Sequence, residues 1–208
     1  MFNHQPLIVR ITRWLLQRLL PKKRYRLIKT SLLQLLGRSD VKRWTEKKNL
    51  YVNWEERTQI MAQWIPDGTS VMEFGCGNMV IKQYLPDNCQ YTASDIVKRD
   101  ENTIVLDLNQ KSLPKLARHD IFLFSGVIEY VYDIERLIQV SSQVCNLFIA
   151  SYVPCDIKNV STIAERRSEG WVNNYSKSEF IELMRDNGFR LLEEKAWQNQ
   201  LLFLFSGS

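Results

Sequence analysis

The sequence of 208 residues contains few cysteines, and they follow no metal-binding or disulfide pattern. The four cysteines are widely separated and include no C-x-x-C pair. This spacing argues against a zinc site and against a disulfide framework, and it is typical of a reduced, cytoplasmic protein. We therefore expect no bound metal and a cytoplasmic location.

Long apolar runs, internal repeats and low-complexity stretches are also absent. Because no run of about 18 uncharged apolar residues occurs, the sequence predicts no membrane-spanning helix. The length suits one domain with a substantial core. The apolar fraction of 45% and the charged fraction of 25% are ordinary for a globular protein.

Acidic residues are almost absent from the first 50 positions. This segment contains 13 lysines and arginines and only two acids, Asp40 and Glu46, so it alone accounts for the net charge of +5. A charge bias confined to one part of a chain distinguishes that part from the rest. We therefore predict a basic helical extension at 1–50 and one folded domain at 51–208.

Positions 7–30 allow three interpretations. Apolar side chains cover more than half of a helical wheel from Leu7 to Leu20, and Pro21 should end that helix just before a run of Lys and Arg. The helix would pack on the domain, contact an anionic membrane or acidic partner peripherally, or act as an organelle transit peptide. A low serine content argues against the transit peptide. Nucleic-acid binding is not favoured, because too few aromatic residues lie among the basic ones.

Predicted strands and helices alternate along the rest of the chain. Apolar runs bounded by turn residues predict strands at 70–74, 90–94, 103–106, 120–125, 147–152, 189–196 and 200–205. Periodic segments with start and stop signals predict helices at 55–64, 78–85, 134–144 and 176–185. This alternation predicts an α/β fold with a Rossmann-like, doubly wound sheet of seven strands. The last two strands are close enough to pair as an antiparallel hairpin.

The segment V-M-E-F-G-C-G carries the strongest functional signal. An apolar strand ends in Glu73 and turns through Gly75 and Gly77, an arrangement that brings the backbone close to a ligand. The next two strands also end in acids, Asp95 and Asp107. Ligands of parallel sheets bind at the carboxyl ends of the strands, and Asp95 lies near the spacing at which an acid reaches a ribose. Three acidic strand ends in register indicate a nucleoside-containing cofactor.

From about Glu55 onward, the sequence resembles the class I S-adenosylmethionine-dependent methyltransferases. The E-F-G-C-G turn resembles the family's first motif, which implies that Gly75 and Gly77 pass beneath the methionine part of the cofactor. The sequence Y-T-A-S-D-I matches the family's ribose-binding segment. The match implies that Asp95 binds the ribose and that Ile96 lies beside the adenine.

Two further segments extend the resemblance. Asp107 and Leu108 in V-L-D-L-N resemble the adenine-contacting pair. The run F-S-G-V-I-E-Y-V resembles the fourth-strand exit of small-molecule members, which implies that Ser125 and Gly126 face the methionine group. The C-terminal helix and hairpin resemble the closing elements of the same fold. The implied cofactor is S-adenosylmethionine, with Glu73 among its binding residues.

Two positions depart from the family's patterns. Met79 stands where the first motif often has a third glycine, and Tyr130 stands where many relatives have a histidine. A nicotinamide-dependent dehydrogenase is the competing fold, but its fingerprint has a glycine at the position of Val80. That fingerprint also leaves Glu73 and the V-L-D-L-N strand end unexplained.

The acceptor side of the site is defined by fewer signals. Methyl transfer needs an aligned nucleophile, and an acceptor hydroxyl would also need a general base. We predict Glu129, Tyr130 and Tyr175 as candidate catalytic residues, with Tyr132 beside the acceptor. The stretch 154–175 is long enough to act as a lid. In this stretch, Trp171 and Tyr175 would stack on a ring, and Arg166 or Arg167 would pair with an acidic substrate.

These features together predict methyl transfer from S-adenosylmethionine to an oxygen or nitrogen of a small-molecule or glycan substrate. A lipid-linked acceptor is also favoured, because a basic N-terminus suits work near a membrane surface. The alternative from another class is a non-catalytic module that keeps the fold and binds a partner through its basic N-terminus.

Overall fold

The computed structural model describes residues 18–50, 54–157 and 161–207 of the chain. The predicted helix from Leu7 to Leu20 therefore lies almost entirely outside the described residues. None of the helices in these three ranges has the length and apolar character that a membrane crossing requires.

Seven strands of the described residues form a single sheet. They are β1 Ser70–Phe74, β2 Gln90–Asp95, β3 Ile104–Val105, β4 His119–Phe124, β5 Cys145–Tyr152, β6 Phe189–Trp197 and β7 Gln200–Gly207. The strand order is β3-β2-β1-β4-β5-β7-β6. The first five strands pair in parallel, and β7 runs antiparallel between β5 and β6. The predicted Rossmann-like sheet with its C-terminal antiparallel hairpin is confirmed.

The α-helices of the described residues are α1 Lys22–Leu35, α2 Val41–Thr45, α3 Glu55–Ala62, α4 Ile134–Ser142, α5 Ile163–Glu169 and α6 Lys177–Asp186. Short 3-10 helices lie at Lys47–Asn49, Val80–Gln83 and Ile128–Tyr130. Ser176 starts α6 with a capping box that includes Glu179.

Several elements differ from the predictions. The predicted helix at 78–85 is only the 3-10 helix Val80–Gln83, because Met79 before it has a left-handed φ of 55° that breaks the helical path. Strand β3 is shorter than predicted. Helix α5 was not predicted, and α1 and α2 lie within the segment 1–50 that was predicted to be helical without individual bounds. Pro21, which was expected to end a helix, directly precedes α1. Proline has no backbone N–H, but this costs little at the start of a helix, because the first N–H groups of a helix have no helical partner.

The core lies on both faces of the sheet, because successive strand residues point to opposite sides. On one face, the rings of Phe74, Phe124 and Phe148 stack with centroid distances of 4.5 and 4.6 Å. On the other face, Ile121 and Leu123 of β4 belong to a cluster with residues of α3. The central strands are therefore covered on both sides, and only their ends are free to form a site.

The described part of the basic N-terminal segment packs on the domain. Arg26 of α1 forms an ion pair of 3.3 Å with Glu169 of α5. Gln34 Nε2 donates a hydrogen bond of 3.2 Å to the carbonyl of Val172. Residues 36–50 then cross the carboxyl ends of the parallel strands, where Ser39 reaches Asp107. The described residues 22–50 therefore pack on the domain, whereas the three interpretations of the Leu7–Leu20 helix concern a segment that is almost entirely outside the described residues.

Candidate functional site

A cavity opens at the carboxyl ends of β1, β2 and β4, where the strand order reverses. Its empty volume is about 1360 Å³, which includes open solvent at the mouth. One wall consists of the strand ends and the glycine turn, and the facing wall is formed by residues of 30–58. The predicted residues that line it are Glu73, Gly75, Gly77, Asp95, Ile96, Asp107, Leu108, Ser125, Gly126, Tyr130 and Tyr132.

Glu73 is buried at the end of β1 and lines the cavity. Burial raises the pKa of its carboxyl to about 8, although a hydrogen bond from the Tyr91 hydroxyl and the positive charge of Arg57 act in the opposite direction. This carboxyl is therefore largely neutral at pH 7 in the free protein, and a cationic group nearby would favour its ionised form.

The turn after β1 requires glycine for two reasons. Gly75 and Gly77 have φ values of +67° and +50°, which residues with a Cβ rarely adopt. A Cβ at Gly75 would also lie 2.5 Å from Cγ2 of Val127, so a larger residue would force the two chains apart. The turn thus exposes backbone to the cavity at close range.

Asp95 organises this turn as well as facing the cavity. Its Oδ2 accepts a hydrogen bond of 2.9 Å from the N–H of Gly77, and its Oδ1 accepts one of 2.9 Å from the N–H of Val97. Arg99 donates to the same Oδ1 at 3.0 Å and, with its other terminal nitrogen, to the carbonyl of Trp44 at 2.9 Å. A carboxylate oxygen accepts up to two hydrogen bonds, so Oδ2 retains capacity for a ligand.

Asp107 lies at the adjacent strand end. Its Oδ1 accepts hydrogen bonds from the Ser39 hydroxyl at 2.7 Å and from the N–H of Asn109 at 2.9 Å. Leu108 beside it is buried against the cavity. The N-terminal segment therefore contacts this acid directly.

The exit of β4 contains a polar atom without a partner. The Ser125 hydroxyl is buried and has no hydrogen-bond partner among the described residues. Gly126 has a φ of +71°, and a Cβ there would lie 2.9 Å from Nη1 of Arg57. The glycine thus leaves room for a guanidinium at this corner of the cavity.

Arg57 is the main cavity residue that sequence reasoning missed. Its side chain is buried, it donates to Gln200 Oε1 at 2.9 Å, and its Nε has no partner among the described residues. Burial lowers its pKa to about 10, with the nearby carboxyl of Glu129 acting against that shift. The Trp54 ring centroid is 5.0 Å from the guanidinium. No local pattern in α3 distinguishes this arginine from a solvated one.

The three candidate catalytic residues occupy different places. Tyr130 lines the cavity, and burial raises its pKa, so its hydroxyl is protonated at neutral pH. Glu129 is not among the residues that line the cavity; its Oε1 accepts a hydrogen bond of 2.9 Å from the N–H of Val153, and its buried Oε2 has no hydrogen-bond partner among the described residues. Tyr175 does not line the cavity, since its ring packs on the core and its carbonyl accepts from the Tyr152 hydroxyl at 3.2 Å. The structure therefore does not bring the three residues together.

The stretch 154–175 also differs from the predicted lid. Arg166 is fully buried and donates to the carbonyls of Asn173 and Val153, each at 2.8 Å, and to the Tyr152 hydroxyl at 3.1 Å. Arg167 donates to the carbonyl of Trp171. These arginines stabilise the stretch internally and do not line the cavity, so the prediction that one of them pairs with an acidic substrate receives no support.

No protein-family model matches the sequence, and no curated protein sequence matches it. Solved structures do match its fold. A chain of the Haloferax volcanii complex between the Trm112 methyltransferase activator and a methyltransferase superposes with a TM-score of 0.63 at 14% identity, over 82% of this chain and 98% of that chain. Magnesium protoporphyrin IX methyltransferase (ChlM) from Synechocystis PCC 6803, solved with bound SAH, superposes with a TM-score of 0.57 at 15% identity, over 77% of this chain and 86% of that chain.

CalO1, a methyltransferase in calicheamicin biosynthesis solved in its SAH-bound form, gives a TM-score of 0.58 at 10% identity, over 77% of this chain and 56% of that chain. The fold is that of the class I methyltransferases. This chain spans little more than half the length of several structures that it matches.

Ligands of the class I methyltransferase fold, as of other open parallel sheets, bind at the reversal of strand order, which is where this cavity lies. In the described ranges, no group of three or more His, Cys, Asp or Glu side chains is placed to hold a metal ion.

Proposed function

We propose that this protein is a methyltransferase that uses S-adenosylmethionine to methylate an oxygen or nitrogen of a small molecule, a glycan or a lipid-linked acceptor. The observation that carries the proposal is the arrangement of charge at the strand ends. Glu73 and Arg57 lie together at one corner of the cavity, and Asp95 and Asp107 follow along the wall. This order suits a ligand with a zwitterionic end and a nucleoside end.

The methionine end of the cofactor fits the corner of the cavity that Glu73 and Arg57 form. Its ammonium would be bound by Glu73, and its carboxylate by Arg57, whose unpartnered Nε and neighbouring Ser125 hydroxyl supply unused donors. The absence of a Cβ at Gly75 and Gly126 keeps this corner open. Two buried polar atoms without partners are an unfavourable arrangement unless a ligand satisfies them.

The nucleoside end fits the neighbouring strand ends. The remaining lone pair of Asp95 would accept a ribose hydroxyl, and Ile96 and Leu108 would form the apolar surroundings of the adenine with Asp107 at its edge. When bound, the cofactor would supply an electrophilic methyl group: the acceptor's lone pair would bond the methyl carbon as the carbon–sulfur bond breaks, S-adenosylhomocysteine would leave, and the acceptor's proton would pass to solvent water.

The chain's own contribution to the reaction would be enclosure and alignment. The wall formed by α1 and residues 36–50 lies over the strand ends and would help to exclude water from the reacting groups. Tyr130 lies in this cavity with a protonated hydroxyl, so we propose it as a hydrogen-bond donor that positions the acceptor. Glu129 and Tyr175 would act only through the residues that they support.

Calorimetric titration with S-adenosylmethionine and S-adenosylhomocysteine tests the proposal. We expect both to bind the wild-type protein, and we expect Arg57→Met to weaken both at least about tenfold, because it removes a buried charged partner. Arg190→Met, on an exposed position of β6, is the matched control. Absence of binding of either ligand to the wild-type protein would favour the non-catalytic module instead.

We also propose that the protein contacts membranes peripherally through α1. Leu32, Leu35 and Leu36 are exposed by 52%, 84% and 63%, and exposed basic residues precede them at 22–24. Exposed leucines beside basic residues favour the surface of an anionic bilayer.

Flotation with phosphatidylglycerol-containing vesicles and with purely zwitterionic vesicles tests the membrane contact. We expect binding to the anionic vesicles only, and we expect Leu35→Ser combined with Leu36→Ser to reduce it. Leu192→Ser, at a residue 48% exposed on β6, is the control. Equal recovery of the double variant and the wild-type protein would contradict the proposal.

A further inference from the structure

An arginine that has no ion-pair partner among the described residues lines the cavity from the N-terminal segment. Arg43 of α2 lines the cavity and donates one hydrogen bond of 2.7 Å, from Nη1 to the carbonyl of Glu169. A Cβ at Gly170 would clash with the same Nη1, so the glycine, with a φ of +91°, makes room for the guanidinium. A guanidinium has five N–H donors, and one such bond leaves most of them unused.

The charge of Arg43 is not matched by a neighbouring acid. Asp40, which caps α2 next to it, forms an ion pair of 2.6 Å with Lys29. Glu169 forms an ion pair of 3.3 Å with Arg26. Within the described part of the chain, no carboxylate oxygen lies within 4.0 Å of a guanidinium nitrogen of Arg43, and Asp40 accepts only from its backbone N–H. The nearest acids are thus already paired with other cations.

Two aromatic rings lie beside the guanidinium. Its carbon is 4.8 Å from the ring centroid of Trp44 and 5.5 Å from that of Tyr130. These two rings meet edge to face at 5.0 Å, and both line the cavity. The surroundings of Arg43 are therefore aromatic, half-buried and cationic, and an anion bound there would be less screened than in open solvent.

Arg43 belongs to a different element from the arginine that we assign to the methionine end of the cofactor. The methionine carboxylate already has a partner in Arg57, which belongs to α3 and faces the exit of β4. Arg43 enters instead from α2, next to Tyr130 and Gly170. Its partner is then the second substrate.

We propose that the methyl acceptor carries an anionic group, a carboxylate or a phosphate, next to a ring that contacts Trp44 and Tyr130, and that Arg43 binds this group. The inference rests on the proposed function and defines its substrate class. A guanidinium binds either anion through two parallel N–H groups, so Arg43 would select acceptors by charge and fix the orientation of the ring.

The test uses the full-length protein saturated with S-adenosylhomocysteine. Calorimetry would compare 4-hydroxybenzoate with 4-hydroxybenzamide, and glucose 6-phosphate with glucose, so that each pair differs in one charged group. We expect at least one anionic probe to bind about tenfold or more tightly than its neutral counterpart. A difference within the benzoate pair would indicate that the site binds a carboxylate, and a difference within the glucose pair would indicate that it binds a phosphate.

Variants show whether Arg43 is responsible. Arg43→Gln should abolish the preference, Arg43→Lys should keep part of it, and Lys42→Gln, an exposed cation on the same helix, should leave it intact. Equal binding of charged and neutral probes, no binding of any probe, or a preference that survives Arg43→Gln would overturn the inference. S-adenosylhomocysteine affinity is measured separately in every variant. Its absence in the wild-type protein would contradict the proposed function, whereas normal affinity without the charge preference contradicts only the inference.

Discussion

The hydroxyl of Ser39 donates a hydrogen bond of 2.7 Å to Oδ1 of Asp107, although the two residues are 68 positions apart. Asn109 supports this contact, since its Nδ2 donates to the Ser39 oxygen and to the carbonyl of Tyr130, each at 2.8 Å. Arg99 similarly joins Asp95 to the carbonyl of Trp44. The N-terminal segment is thus fastened to two of the acids that we assign to the cofactor.

Ser39→Ala should therefore weaken cofactor binding as well as the attachment of the N-terminal segment. The change leaves Asp107 with one fewer donor and removes a net contribution of about 1 kcal/mol. We expect a several-fold loss of S-adenosylhomocysteine affinity in calorimetry and faster proteolysis within residues 36–50. Ser112→Ala, in an exposed loop, is the control. Unchanged affinity and unchanged proteolysis would show that the contact does not couple the two parts.

Met79→Gly should not destabilise the protein, unlike most substitutions by glycine. Met79 has a φ of 55°, a conformation that is unfavourable by about 1–2 kcal/mol for a residue with a Cβ. Glycine relieves this strain but adds about 0.5–1 kcal/mol of backbone entropy to folding. We expect a free energy of unfolding that is unchanged or higher by up to about 1 kcal/mol in urea titration.

Gln83→Gly, an exposed position in the adjoining 3-10 helix, is the matched comparison for Met79→Gly. It has no left-handed strain to relieve, so it should lose about 1 kcal/mol. A larger loss at Met79 than at Gln83 would contradict the prediction. The result would also explain why a third glycine can be absent here, since the backbone retains the conformation that glycine favours.

The predictable part of the site consists of residues adjacent to strand ends. Glu73, Asp95 and Asp107 each follow an apolar run directly, and parallel strands bring their carboxyl ends to one edge, so local patterns were sufficient. The seven-stranded fold was predictable for the same reason. The bounds of helix α1 were not, because its stability comes from contacts with α5, such as that between Arg26 and Glu169.

The unpredicted part of the site depends on contacts between distant segments. Arg57 meets Gln200 across 143 positions, and Arg43 meets Glu169 across 126. No periodicity or spacing in the sequence indicates that such distant residues are in contact. Arg166 was instead predicted to bind substrate although it does not line the cavity. The prediction failed because a charged residue in a long connection suggests a solvated or substrate-binding side chain. Its burial depends on carbonyls that the surrounding backbone places around it, which the sequence does not display.

Cofactor affinity should increase between pH 6 and pH 8. In the free protein, burial raises the pKa of Glu73 to about 8, so the carboxyl is protonated below that pH. A bound ammonium favours the ionised form, so binding lowers this pKa and releases a proton. Linkage then requires the dissociation constant to fall as pH rises, by at most about tenfold per unit, and to level off above pH 8.

Calorimetry of S-adenosylhomocysteine at pH 6, 7 and 8, in buffers of different ionisation enthalpy, measures both the affinity and the released proton. Glu73→Gln cannot ionise, so we expect weaker binding with a nearly flat pH dependence. A wild-type affinity that is constant or that falls over this range would show that Glu73 is already ionised or that it does not contact the ammonium.

Arg166→Met should be among the most destabilising single substitutions in the described part of the chain. The guanidinium is fully buried and donates to the carbonyls of Asn173 and Val153 and to the Tyr152 hydroxyl. Methionine removes the arginine's hydrogen bonds to both buried carbonyls, and the Tyr152 hydroxyl keeps only the donor from the N–H of Tyr175. We expect a loss of about 3 kcal/mol or more in the free energy of unfolding, measured by urea titration.

Arg166→Lys should also be destabilising, because an ammonium lacks the planar fork that reaches all three oxygens. Arg190→Met, at an exposed position, should change stability by less than about 0.5 kcal/mol. A loss below about 1 kcal/mol for Arg166→Met would mean that water or a shifted side chain replaces the arginine, and that the stretch 161–175 does not depend on it.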